Sequence, residues 1–114
     1  MDKNQLLQKL DEILGQANAG ILATSDEQNN PHLRWMTPVM VKGRPDAIFA
    51  FVIPNSKKTK HIEHNHNVTW MIQSKDLSEI INIKGIANLI DNPALKNEIL
   101  EKVGSKLTMF WKAN

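Results

Sequence analysis

The sequence predicts a small antiparallel β-barrel with helices packed outside it, a mainly β fold with flanking helices. Three observations carry this expectation. Strand-like segments outnumber helical ones and follow each other through turn-length links. Amphipathic helical patterns with cap signals stand at both ends of the strand run. One connection exceeds a turn and holds a short lysine-rich helix. The 114 residues, 41% of them apolar, suit one domain with one core, spanning residues 1–114.

Asp2 to Ala17 reads as an amphipathic helix, with Leu6, Leu10, Ile13, Leu14 and Ala17 on one face. Asp2 and Gln5 have the spacing of a capping box. Gly20 to Ser25 is a short strand, and Asp26 to Pro31 a turn by composition. His32 to Val41 is the next strand, in which Pro38 suggests an edge or a bulge. Lys42 to Asp46 turns the chain into Ala47–Ile53, a wholly apolar run that reads as a fully buried central strand.

Pro54-Asn55 breaks that strand, and Asn55 or Ser56 can cap the helix after it. Val68 to Ser74 is a strand with Val68, Trp70 and Ile72 on one face. Glu79 to Asp91 alternates at length, with Ile81, Ile83, Gly85, Ala87 and Leu89 together and Gly85 placed to bend or bulge. Asn92 caps a last helix with Pro93 at its first position and Leu95, Ile99, Leu100 and Val103 as its buried stripe. The tail carries Met109, Phe110 and Trp111.

Composition narrows the function classes. A net charge of +2 implies no extended nucleic-acid surface. The absence of cysteine excludes disulfides and thiolate metal sites. No signal-peptide pattern is present, and no apolar run approaches the roughly 20 residues that span a bilayer. The expected setting is the cytoplasm, with neither membrane nor nucleic acid as partner.

The lysine helix is the stretch that points to chemistry. Lys57, Lys58 and Lys60 crowd its first turn, where the helix dipole already favours anions. A bound phosphate would resolve the repulsion by taking the free N–H groups, the Ser56 hydroxyl and the ammonium groups together. A solvated lysine cluster is the alternative.

Several motifs in order resemble the pyridoxamine 5′-phosphate oxidase-like family, within it the small general stress proteins. They are Ser56-Lys57-Lys58, Ile62 and Asn65-His66-Asn67-Val68, where the family has Asn-Pro-x-Val; Arg34-Trp35-Met36-Thr37; and Lys84-Gly85-Ile86-Ala87 followed by Asp91. The resemblance covers nearly the whole chain and implies a split antiparallel β-barrel that binds FMN between the subunits of a homodimer. It implies that Ser56, Lys57 and Lys58 hold the phosphate and that Arg34 reaches the phosphate or the ring system. The backbone of Trp35, Met36 and Thr37 would lie along the isoalloxazine edge, and Phe51 and Val52 would line the same pocket. FMN needs such a cationic cradle, an apolar slot and donors near its ring.

Three departures from the oxidase itself argue against oxidation of pyridoxamine phosphate. Val39 stands where the oxidase has a substrate-binding lysine, and Ile80 replaces a flavin-contacting glutamine. The C-terminal arginine and histidine segment that grips the vitamin phosphate is expected to be missing. His61, His64 and His66 could suggest a metal, but the resemblance puts them at the helix end, away from the phosphate, so no metal site is expected. No paired carboxylates or nucleophile–base pair stand out, so catalysis, if present, would rest on the flavin.

The first functional expectation is therefore an FMN flavoprotein, a small oxidoreductase whose substrate or electron acceptor the sequence does not name. A non-catalytic module that binds or senses flavin or a related phosphate ligand is the second. A single-strand nucleic-acid barrel ranks last, because only 5% of residues are aromatic and the charge is low.

Overall fold

The computed structural model describes residues 2–17, 19–41, 43–52 and 57–101. Helix α1 (Lys3–Gln16) leads into β1 (Gly20–Ser25), β2 (Pro31–Met36), β3 (Val39–Val41) and β4 (Arg44–Phe49). Helix α2 (Lys57–His64), β5 (Asn67–Gln73) and β6 (Ile80–Ile86) follow. A last helix, α3, covers residues 93–101. The strands form a four-stranded sheet in the order β2-β1-β5-β6 and a two-stranded sheet of β3 and β4, every pairing antiparallel. The architecture is the split antiparallel β-barrel with flanking helices that the sequence implied.

Local chemistry sets the element ends. Asp2 accepts from the Gln5 N–H at 2.8 Å while Gln5 Oε1 accepts from the Asp2 N–H at 3.1 Å, the reciprocal capping box. Asn92 Oδ1 accepts from Leu95 N–H at 3.1 Å and starts α3. Asn65 Oδ1 accepts from Asn67 N–H at 3.0 Å, turning α2 into β5. Ser74 and Asp76 satisfy the β5–β6 turn, with Leu77 at φ 63°.

Alternation along the large sheet separates two faces. One inward row runs Arg34, Leu22, Trp70, Ile83 across the paired strands. The parallel outward row runs Trp35, Ile21, Met71, Asn82. Leu22, Met36, Val68, Trp70 and Ile72 pack inward against Leu10, Ile13 and Leu14 of α1, its C-cap Ala17 and Ile62 of α2. A second cluster joins Val39 and Val41 to Leu95 and Ile99 of α3. The outer face stays open: Leu33, Trp35, Ile80 and Ile86 are 53–72% exposed.

Several sequence expectations change. The segment 32–41 is two strands, because Pro38 has no N–H to continue the ladder and the chain passes from one sheet to the other. The run from Ala47 is neither central nor fully buried. It forms β4 and its extension, half-buried in the two-stranded sheet. Its residues are divided between two clusters: Ile48, Ala50 and Val52 pack on the first, Phe49 and Phe51 on the second.

Gly85 makes no bulge, since the β5–β6 ladder runs unbroken from Asn67↔Ile86 to Gln73↔Ile80. The irregularity lies instead between Val39 and Val41 in the β3–β4 ladder. β6 ends at Ile86, and Leu89 beyond it is exposed. In α3, Leu95 and Ile99 are buried while Leu100 faces solvent. The Pro54-Asn55 break, the Asn55 or Ser56 cap, Val103 and the aromatic tail lie outside the described residues.

Gly20 is a close approach rather than a turn. A Cβ there would meet Ile72 Cγ1 and the Met71 carbonyl oxygen at 3.2 Å. Ile72, fully buried, is thus packed against backbone as well as side chains. Ile72→Ala should cost about 2–5 kcal/mol, read as a lower urea midpoint. A midpoint unchanged within error would contradict this account of the core.

Candidate functional site

The β1–β2 hairpin and α2 bring together a polar cluster at one end of the inner sheet face. Thr24 on β1 sits opposite His32 in the ladder, and Arg34 is the next inward residue of β2. The hairpin turn is built on Asp26, whose carboxylate accepts from the N–H groups of Gln28 and Asn30, each at 2.9 Å. Asn29 takes a left-handed φ of 64° there, a conformation asparagine tolerates. The same carboxylate lies 2.8 Å from His32 Nε2. Above the sheet, α2 packs on β1 and places His61 Nδ1 3.2 Å from Thr24 Oγ1. The His61 and His32 rings are 4.5 Å apart, tilted by 38°.

Arg34 Nη1 donates to Thr24 Oγ1 at 2.7 Å. Its guanidinium is half-buried, and no carboxylate pairs with it among the described residues, where Asp46 pairs with Lys3, Glu79 with Lys9, and Asp26 bonds His32. Burial moves its pKa down from the ordinary arginine value. A charge withdrawn from water without a counter-charge is costly, and an anionic ligand removes the cost. Two further cations, Lys57 and Lys60, are exposed on the first turn of α2, which carries no acidic residue.

The residues expected to hold a cofactor are only partly gathered. Arg34 and Lys57 belong to this end of the molecule, since Arg34 shares Thr24 Oγ1 with His61 and Lys57 lies one helical turn before His61 on α2. Trp35 points to the opposite, exposed face of the sheet, while Met36 and Thr37 are buried where β2 ends. Phe51 and Val52 diverge to the two apolar clusters. Ser56 and the Lys58 side chain lie outside the described residues.

His61, His64 and His66 do not converge. His61 joins Thr24, His66 Nδ1 lies 3.1 Å from the Ala87 carbonyl oxygen, and His64 is exposed. Among the described residues no group of three or more potential ligands is placed to hold a metal. His61, expected at the helix end, shares a hydroxyl with Arg34, because α2 packs on β1.

Sequence reasoning gave no role to Thr24, Asp26 or His32 and weighed His61 only as a metal ligand. The first three had a signal, since a hairpin turning at Asp26 puts Thr24 opposite His32 on the face of Arg34. His66 also gains an explanation. Its carbonyl accepts from Ala87 N–H at 2.8 Å, and none of its hydrogen bonds among the described residues uses its own N–H. The proline usual at that position therefore loses nothing there.

A separate open depression of about 640 Å³ lies where β1, β5 and β6 meet, lined by Ser25, Asn67, Thr69, Lys84 and Ile86 among others. It includes neither Arg34 nor Lys57. Open to solvent, it does not give the enclosure of roughly 70–90% typical of small-molecule sites.

A family profile described as pyridoxamine 5′-phosphate oxidase matches residues 6–111. No curated protein matches the chain. Among solved structures, General Stress Protein 26 from Bacillus anthracis is 25% identical, with a TM-score of 0.71 over 86% of this chain and 76% of that one. HutZ, the heme storage protein from Vibrio cholerae, is 15% identical, with a TM-score of 0.68 over 87% of this chain and 73% of that one, a likeness of fold alone. A conserved hypothetical protein from Mycobacterium tuberculosis, 18% identical, aligns with a TM-score of 0.66 over 83% of this chain and 57% of its own. Among the described residues no helix is long and apolar enough to cross a membrane.

The site generates a prediction in acid. The hydrogen bond to His32, then those from Asn30 and Gln28, hold the Asp26 carboxyl far below the ordinary carboxylate range. A depressed folded-state pKa gives stability that is present above the unfolded value of about 4 and is lost as pH falls through the folded value. Asp26→Asn should therefore be less stable than the parent near neutrality, with the gap closing progressively below about pH 4. Denaturation curves that stay parallel down the acid limb would remove this role for Asp26.

Proposed function

The chain belongs to the pyridoxamine 5′-phosphate oxidase family, and from that premise we propose that it is an FMN-binding flavoprotein, a small oxidoreductase acting as a homodimer. The observation that carries the reading is Arg34: a half-buried guanidinium with no carboxylate partner among the described residues, next to the lysine-rich start of α2. The phosphate of FMN supplies the missing negative charge.

In this reading Arg34 and Lys57 bind the phosphate, with Ser56 and Lys58 as further ligands expected from the motif. The flavin would supply the redox chemistry, and the residues around it would hold and orient it and exclude water. The substrate and the electron acceptor stay open.

The chain does not oxidise pyridoxamine 5′-phosphate in this reading. Val39, where the oxidase has its substrate lysine, is an apolar side chain buried in the second apolar cluster and offers no charge to a substrate phosphate. The same observation favours the second reading, a non-catalytic module that binds or senses flavin. Reduction of the bound flavin by a nicotinamide cofactor separates the two.

A second copy of the chain would cover the open outer face of the four-stranded sheet, where Leu33, Trp35 and Ile86 are exposed together with half-buried Ile21 and Met71. Monomers rarely expose apolar patches beyond a few hundred Å². Leu33→Glu costs a monomer little, since Leu33 is already 70% exposed. Sedimentation should show a parent dimer that this substitution dissociates; a parent that is monomeric at every attainable concentration would end the dimer proposal.

Calorimetric titration tests the ligand. Each charge-assisted hydrogen bond to phosphate contributes about 1.5–3 kcal/mol, so FMN should bind at least about tenfold tighter than riboflavin. Arg34→Ala should lose most of that preference and leave riboflavin affinity little changed. The FMN-loaded protein should form no pyridoxal phosphate from pyridoxamine 5′-phosphate. Equal affinity for the two flavins would sink the phosphate assignment.

A further inference from the structure

Arg34 and His61 reach one hydroxyl from opposite layers of the fold. Arg34 Nη1 is 2.7 Å from Thr24 Oγ1, and His61 Nδ1 is 3.2 Å from the same oxygen. A guanidinium can only donate, so Thr24 accepts from Arg34 and its own proton is free for His61. That arrangement favours a neutral His61 with Nδ1 as acceptor and the ring proton on Nε2. His61 Nε2 has no hydrogen-bond partner among the described residues.

The charges around this ring are unbalanced. From β2 it faces Arg34 and His32, from the β1–β2 turn Asp26, and from its own helix Lys57 one turn earlier. β1 contributes the uncharged Thr24. The Asp26 carboxylate is already engaged by His32 and by the N–H groups of its turn. An unprotonated His61 between cations is therefore waiting for a negative charge rather than balancing one.

We infer that His61 is a ligand of the same oxyanion that Arg34 holds, and that binding this anion draws one proton from water onto the imidazole. The inference rests on the phosphate reading above and deepens it, adding His61 and Thr24 to the site and making the site proton-linked. With the site empty, burial first, then His32 and Arg34, hold His61 below the ordinary histidine pKa, with Asp26 opposing them. A bound dianion reverses the balance and raises it. Protonated His61 then offers Nε2–H to the anion and Nδ1–H to Thr24 Oγ1, whose oxygen has a second lone pair to accept it.

The sign follows from linkage. Affinity rises as pH falls between the two His61 values, by at most about tenfold per pH unit for a single proton. A phosphate monoester blurs this, because its own second ionisation lies near about pH 6. Sulfate stays dianionic throughout and is the clean probe.

Sulfate is titrated calorimetrically into the intact protein from about pH 8 to about pH 5.5, the range where histidine titrates, in buffers of different ionisation enthalpy. The parent should take up as much as one proton per sulfate and bind it more tightly at each lower pH. His61→Gln keeps an amide partner for Thr24 and should bind sulfate with no proton uptake and a flat pH profile. Arg34→Ala should lose sulfate binding. The nitrogen shifts of the His61 ring in the parent, with and without sulfate, give the same answer without any variant.

Sulfate binding without proton uptake, uptake that persists in His61→Gln, or no sulfate binding at all would overturn the inference. The two readings fail separately. Arg34-dependent FMN binding with no His61 linkage leaves the flavin reading standing and ends this one. Proton-linked sulfate binding that FMN does not compete for leaves this site standing and ends the flavin reading.

Discussion

Two antiparallel ladders meet on β1, and both constrain which of its residues face the helices. Pairing with β2 aligns Leu22 with Arg34 and Thr24 with His32; pairing with β5 aligns Leu22 with Trp70. A slip of one residue on either side would send the inward set outward. Gly20 keeps the start of the strand close to Ile72 and the Met71 carbonyl, which a side chain there would crowd. From that anchored end the inward positions run from apolar core to polar site within one short strand. Leu22 is buried in the main core, and Thr24, two residues on, is the hydroxyl that Arg34 and His61 share.

That gradient explains why the candidate site lies where it does. α1 fills the middle of the inner face with Leu10, Ile13 and Leu14 against Trp70 and Ile72, leaving no space for polar groups. α2 packs beside it on β1, anchored by Ile62, while its next-door residue His61 turns to the hydroxyl. Adjacent helical positions thus serve packing and polar contact at once. The cost of placing a guanidinium under a helix is met in part by Thr24, and the remaining charge is what a ligand can answer.

The two faces of the large sheet have different characters. The inner face is closed by α1, α2 and the edge of the β3–β4 ribbon, whose Met40, Ile48 and Val52 pack on the core. The outer face carries apolar residues on both edge strands and half-buried ones between them, with few charges apart from Lys84. Antiparallel sheets commonly place polar residues on a face they leave to water. This one mixes such residues, among them Thr69, Asn82 and Lys84, with exposed Leu33, Trp35, Ile80 and Ile86, and it is the apolar set that a second protein surface would cover.

Much of the fold was legible from periodicity and punctuation. The capping box at Asp2, the strand from Gly20 to Ser25 and the Asn92 cap follow from local hydrogen-bonding chemistry that needs no distant partner. Arg34 was singled out by a motif, and alternation set it on the face opposite Leu33 and Trp35, but only the structure shows that those two are the exposed set. What misled was uniform hydrophobicity. The run from Ala47 read as one buried strand, but its alternate residues are divided between two clusters, and composition does not encode which cluster takes which side.

By itself, then, the sequence determined most of the elements, the antiparallel class and the cationic residues from which an anion site could be built, because each depends on neighbours a few positions away. Only the tertiary structure decided that His61 lies over Thr24, 37 positions earlier in the chain, and that Pro38 passes the chain between sheets. Those outcomes depend on how α2 packs across β1 and on which strands find each other. Such long-range choices are settled by burying the whole apolar set at once, and no local spacing in the chain carries them.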